Sequence, residues 1–236
     1  MTLSARAGSF VFVAAVFLSL LFFYTAYDKE TKTLVPQKLL AVIFFSDAAK
    51  SWSELNKVAA LAAIGLISCA LVVGPLSKMF PKTFGKFLLY RKDAGIAGFL
   101  FAILHSAYSL FVIYGLDPNK MLFANPKWIG FVAAVLAFGI FFLMAITSTA
   151  EAVKKMGYIK WKLLQTTGYV ALFFAIVHFL VLEIKPGKGL DVRPYGLVFL
   201  ALAITALIVR LGFRALKTPP RTAFEEHIGQ TPEKDS

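Results

Sequence analysis

Apolar residues along this chain are gathered into long blocks separated by short charged segments. Six stretches carry no Asp, Glu, Lys or Arg: Ala7–Tyr27, Val58–Ser77, Ala94–Leu116, Trp128–Ala150, Leu163–Leu182 and Pro194–Val209, of 21, 20, 23, 23, 20 and 16 residues. A helix rising 1.5 Å per residue needs about 20 mostly apolar residues to cross roughly 30 Å of hydrocarbon, so the pattern predicts six transmembrane helices. The sixth block is short, but snorkelling by Arg210 lets Leu211–Phe213 complete the crossing. The first block is longer than a signal-peptide core and no convincing small-residue cleavage site follows at Thr25–Tyr27, so it reads as an anchor. Leu39–Phe45, with Pro36 ahead of it and Ser46 and Asp47 behind, is too short to span and predicts an interfacial or re-entrant segment. The expected fold is an all-α, six-span transmembrane helical bundle with every backbone bond internal. Its spans lie near 7–27, 58–77, 94–116, 128–150, 163–182 and 194–213, in a transmembrane domain over 1–214 followed by a short tail, 215–236.

Composition agrees with the blocks. The 236 residues are 58% hydrophobic and 16% charged, too apolar and too charge-poor for a soluble domain, and far from a disordered, collagen-like or disulfide-rich chain. The single cysteine, Cys69, excludes an intramolecular disulfide and a cysteine metal site. The formal charge of +12 suggests nucleic acid in isolation. Beside 24 Phe, cationic flanks of membrane helices account for it better, and no nucleic-acid partner is expected. With six spans both termini share one side, together with Lys78, Lys82, Lys86, Arg91, Lys92, Lys154, Lys155, Lys160, Lys162 and Arg210. That side holds 15 of the 25 Lys and Arg. Excess cations mark the cytoplasmic face, so both termini are expected in the cytoplasm and the protein in the plasma membrane. The 22-residue tail is too short for a folded domain, and no fused flavin or nucleotide module is expected.

Inside the blocks, chemistry is scarce. The absence of intramembrane carboxylates and cations there argues against an ion pump or a charged-substrate transporter. What remains is His105 in the third block and His178 in the fifth. His105 lies 14 residues past Arg91 and His178 lies 16 past Lys162, about 21 and 24 Å along their helices, a difference that tilt absorbs. Two imidazoles at one depth in a helical bundle are a recurring way to hold a haem iron from both faces. Phe101, Ile103, Phe173, Phe174 and Val177 would line the macrocycle, and Gly95, Gly98 and Ala102 would admit it. The competing reading is a cofactor-free integral membrane transporter or assembly protein in which the two His are structural interhelical glue. His227, beside Glu225 and Glu226, reads as solvated, and Lys160, Trp161 and Lys162 as interfacial anchors.

The run Arg91-Lys92-Asp93-Ala94-Gly95-Ile96, followed by Ala102-Ile103-Leu104-His105-Ser106-Ala107-Tyr108, resembles the third helix of ferric-reductase-like transmembrane domains. Thr147-Ser148, Gly157 to Tyr169 and His178-Phe179 resemble that family's fourth loop and fifth helix. The resemblance covers roughly 91–183, and in size and span count it is nearest to the haem-binding membrane subunits of bacterial methionine sulfoxide reductase systems. It implies one b-type haem, with His105 and His178 as its axial ligands. It also implies electron transfer from a separate flavin reductase or quinol donor to an extracytoplasmic reductase or ferric iron. Those subunits carry a further histidine 13 residues before the second ligand, where this chain has Gln165, so a second haem is not implied. One haem two-thirds of the way across leaves a long gap to the cytoplasmic side. That gap calls for an inner-leaflet cofactor, FMN or a quinone, near Arg91, Lys160, Trp161 and Gln165, or for a donor that reaches into the membrane. On the outer side Lys185 and Arg193 are candidate partners for haem propionates, and Thr147-Ser148 is expected to cap a helix or bond between helices.

Overall fold

The computed structural model describes residues 3–28, 31–185, 187 and 189–215. The expected tail, with His227, lies almost entirely outside them. Helix α1 covers Leu3–Ala26, and a short α2, Pro36–Ile43, opens on a proline whose missing N–H costs nothing at that place. This α2 occupies the predicted non-spanning segment. Helix α3 runs over Ala48–Met79 and is capped by Asp47, whose carboxylate accepts from the Lys50 N–H at 3.1 Å. After α4, Pro81–Phe84, and a 3₁₀ turn over Gly85–Leu89 comes α5, Arg91–Tyr108, which continues as a π-helical turn, Ser109–Ile113. A second π turn, Asn119–Phe123, precedes α6, Trp128–Ile146. Then follow α7 (Ala150–Met156), α8 (Tyr158–Thr166) and α9 (Gly168–Glu183), a two-stranded antiparallel hairpin of β1 (Ile184–Lys185) and β2 (Gly189–Leu190), and α10 (Pro194–Ala215).

Among the described residues six helical stretches are long and apolar enough to cross a membrane: Ala7–Ala26, Ala48–Met79, Arg91–Ile113, Trp128–Ile146, Tyr158–Glu183 and Pro194–Phe213. This is a multi-pass integral membrane protein. Three spans differ by four residues or more from the sequence expectation, the fifth by starting at Tyr158 rather than Leu163. The fourth stops at Ile146, where the Thr147 and Ser148 hydroxyls donate to the Leu143 and Met144 carbonyls, each at 2.6 Å. The two hydroxyls thus end their own helix, and Thr147 also bonds between helices, its Oγ1 lying 3.5 Å from Gln165 Nε2 and its carbonyl accepting from Trp161 Nε1. The second begins ten residues earlier than its apolar block, because Asp47 caps it and Ala48–Lys57 is helical despite its charges. The same extension places one carboxylate, Glu54, inside a span that was expected to hold none.

Helix α3 is the axis of the bundle: its most apolar window is 78% buried within the protein, whereas no other span exceeds 22%. It packs most extensively against α5, and also against α10 and α1, while α6 pairs with α9. Lipid tails are as apolar as side chains, so helices associate in membranes by close van der Waals packing of small residues. Gly98 on α5 meets this need, since a Cβ there would stand 2.8 Å from Ile67 Cγ1 and 3.1 Å from the Ala63 carbonyl oxygen on α3. Large apolar side chains on α1, α5, α6 and α9 face outward, among them Phe10, Leu104, Ile129 and Phe173, as lipid-facing surfaces require.

Candidate functional site

Two of the cavities along the bundle carry residues singled out by the sequence. The first, about 210 Å³, opens toward the end formed by the C-terminus of α1 and the N-termini of α3 and α10. His105, in the last turn of α5, and His178, on α9, both line it. Their ring centres are 6.2 Å apart and their planes cross at 66°. The two rings therefore meet at one depth, as their distances along the two helices predict. Each imidazole is oriented by its Nδ1: that of His178 lies 2.9 Å from the Gly130 carbonyl oxygen on α6, and that of His105 lies 3.0 Å from Asn56 Oδ1 on α3. A carbonyl oxygen only accepts, so both Nδ1 atoms are the protonated ones and both Nε2 lone pairs are left for a ligand. Gly130 permits this approach, because a Cβ there would stand 3.0 Å from Val181 Cγ1 of α9.

The donor set suits a metal held between the rings. Two metal–nitrogen bonds of about 2 Å, with the half-width of each ring added, put the ring centres about 6 Å apart, as found. Metal-bound histidines characteristically donate the other ring N–H to a carbonyl or carboxylate. The walls are apolar and include Ala102, Ala134, Ala137, Ala175, Phe138 and Phe179; of the residues expected to line or admit a macrocycle only Ala102 is among them, because helical phase turns Ile103 and Phe173 outward, puts Gly95 on the second cavity and packs Gly98 against α3. Among the described residues no cluster of three or more His, Cys, Asp or Glu forms a separate metal site.

At its open end the first cavity becomes polar, with Lys57 and Arg193 among its lining. Arg193 grips Glu54 through Nη1 to Oε2 at 2.7 Å and Nη2 to Oε1 at 3.3 Å. It also donates to the Tyr24 carbonyl at 2.7 Å and stacks over the Tyr24 ring at 4.3 Å. Lys57 Nζ reaches Glu54 Oε1 at 3.0 Å. Lys185, the other expected outer cation, does not line this cavity. It is paired with Asp191 across the β1–β2 hairpin, and that hydrogen bond raises its pKa.

The second cavity, about 590 Å³, lies at the opposite end of the bundle. Three of the four residues expected there line it: Arg91, Trp161 and Gln165. Gln165 Nε2 donates to the Met144 carbonyl at 3.2 Å, and Trp161 Nε1 donates to that of Thr147 at 3.0 Å. Arg91 Nε donates to the Ala70 carbonyl at 2.9 Å. Lys160 is the exception: it is exposed and absent from the wall, and the helical turn of α8 brings Lys162 in instead. Sequence reasoning did not single out Lys78, Arg210 and Tyr169, which also line this space. Tyr169 donates to the Leu71 carbonyl at 2.8 Å, and Arg210 sits over its ring at 5.1 Å. Their signal was present as cations at span ends, but which ends converge is set by packing.

Six apolar spans enclosing a pair of buried imidazoles, each oriented through its Nδ1, define a multi-pass membrane protein. The chain belongs to the family of ferric reductase like transmembrane components, whose pattern matches residues 59–176, half of its length. The match includes His105 and stops two residues before His178. Among individual proteins, it is 29% identical over 114 residues to the protein-methionine-sulfoxide reductase heme-binding subunit MsrQ of Ralstonia nicotianae, covering 48% of this chain and 52% of that one. It is 30% identical over 121 residues to the MsrQ of Herminiimonas arsenicoxydans, covering 51% and 54%. Over 161 aligned positions it is 26% identical to the mouse metalloreductase STEAP2, covering 54% of this chain and 32% of that protein. The match thus spans about half the length of the bacterial relatives and a third of the mouse one.

Proposed function

We propose that this protein is a haem b-binding electron-transfer protein of the plasma membrane, in which His105 and His178 are the axial ligands of a single haem. The observation that carries the reading is the pair of rings 6.2 Å apart, each with Nδ1 engaged by a carbonyl oxygen. The names of the bacterial relatives, which are haem-binding subunits, support it. Haem bound there supplies one-electron chemistry within the bilayer. The protein's own part is to present two neutral imidazoles and to exclude water with apolar walls, with the Lys57–Glu54–Arg193 cluster at the polar end of the cavity. By the cation excess, the termini and the second cavity face the cytoplasm, and electrons pass from a cytoplasmic or membrane donor to an extracytoplasmic acceptor. That acceptor is a partner reductase subunit or ferric iron.

The second cavity belongs to the donor side. Lys78, Arg91, Lys92, Lys162 and Arg210 line it without a carboxylate among the described residues. This charge favours a phosphate-bearing flavin such as FMN over a neutral quinone. Purified protein, reduced with dithionite, is expected to give a low-spin b-type spectrum at one haem per chain, lost in His105→Ala and in His178→Ala. A colourless preparation after expression with haem supplied overturns the reading. If His→Asn at either site leaves fold and function intact, the histidines are structural glue.

A further inference from the structure

We infer that Asn56 is a positioning residue for metal ligation by His105, and that its side-chain carbonyl sets how strongly this imidazole donates. The inference rests on the haem reading above. The two histidines are held by different kinds of acceptor. His178 Nδ1 points to a main-chain carbonyl, that of Gly130, which no side-chain substitution removes. His105 Nδ1 points to a side chain, Asn56 Oδ1, at 3.0 Å. Asn56 is 9% exposed and sits on α3 outside the family-matched segment, and its Nδ2 faces Ser109 Oγ at 3.5 Å in the π-helical turn that follows α5. The amide thus bridges the ligand imidazole to the turn that ends its helix.

A buried amide beside lipid needs a reason, because each unmet polar group costs free energy there. The neighbouring polar residues of α3, Glu54 and Lys57, are committed to each other and to Arg193, so Asn56 owes nothing to that cluster. Its oxygen holds the His105 proton on Nδ1 and thereby keeps Nε2 unprotonated, the form that binds a metal. A leucine at 56 would leave Nδ1–H unpaired and release the ring to the other tautomer, in which Nε2 carries the proton. An aspartate would keep the acceptor and add charge, raising the basicity of the imidazole and favouring the ferric over the ferrous state.

The test uses the full-length protein in detergent, with haem titration, a redox titration and a thermal melt of the haem-free protein. Asn56→Leu is expected to lose about 10–100-fold in haem affinity while the haem-free melt stays at the wild-type midpoint. Asn56→Asp is expected to keep the wild-type affinity or better and to have a more negative midpoint potential. Tenfold tighter ferric binding at constant ferrous binding corresponds to about 59 mV. Wild-type affinity in Asn56→Leu, or an unchanged potential in Asn56→Asp, overturns the inference while the haem reading stands. If Asn56→Leu does not fold, the potential of Asn56→Asp decides. Wild-type protein that takes up no haem overturns the reading and the inference together.

Discussion

The histidine cavity and the cationic cavity are built on opposite principles. The first fixes its functional groups: two ring nitrogens are pinned by carbonyl oxygens, the walls are alanine and phenylalanine, and the one arginine at the mouth is clamped by a carboxylate, a carbonyl and an aromatic face. The second is nearly three times larger and lined by long cationic side chains, with Arg91 on a main-chain carbonyl and Arg210 over a tyrosine ring. Rigid, pre-oriented donors suit a resident group whose geometry must not vary, because the orientation cost is met when the protein folds. Flexible cations around a roomier space suit a ligand held by charge, which arrives and leaves more readily.

This contrast can be broken most sharply at the first cavity. Ala175→Phe, which fills the wall beside the imidazoles, is expected to abolish haem uptake while the protein still inserts and folds, read from the haem-to-protein ratio and the elution volume in detergent. Retention of a full haem complement would show that the wall does not bound the site. A smaller but still large effect is expected at the mouth. Glu54→Ala strands Arg193, whose side chain is 17% exposed, and breaking such a pair by removing one partner costs about 3 kcal/mol, seen as a lower melting temperature in detergent. Glu54→Gln, which keeps a hydrogen-bond acceptor, should recover part of it.

Between the cavities, Gly98→Ala places a methyl against Ile67 and the Ala63 carbonyl and should destabilise the protein by about 1–3 kcal/mol, as overpacked cores do. A neutral result would mean that α3 and α5 separate easily. At the second cavity, Arg91→Gln combined with Arg210→Gln is expected to weaken FMN binding and reduce its salt dependence, measured by fluorescence quenching at two ionic strengths, with the haem spectrum unchanged. Loss of haem in this variant would mean that the two cavities are one site. The smallest effect is expected at Lys185. The Lys185→Ala variant should match wild type in haem content and melting temperature, since its partner is Asp191 on the exposed hairpin. A loss of haem would restore Lys185 to the outer edge of the site.

Much of this was legible in one dimension because a bilayer imposes a length and a polarity on any chain that crosses it. Blocks of about 20 uncharged residues sufficed to count six spans, and helical rise sufficed to bring His105 and His178 to one depth. Lys160, Trp161 and Lys162 were legible as interfacial anchors, but helical phase decides that Trp161, Lys162 and Gln165 line the cavity and Lys160 does not. Asn56 was invisible for a different reason. It sits among charges just ahead of an apolar block, and only the Asp47 cap, which carries α3 ten residues further out, brings it into the bundle opposite His105.

The sequence by itself determined the number of crossings, the segment that fails to cross and the existence of two imidazoles at a common depth, all of which follow from length, polarity and helical rise. Tertiary structure alone decided which helix is the axis, which acceptor fixes each imidazole, and which cations converge on which cavity. Those contacts join residues 48 to 169 positions apart, such as Gly130 with His178 and Tyr24 with Arg193. They depend on the azimuth of each helix about its own axis, which a pattern of apolar blocks leaves free and close packing of small residues settles.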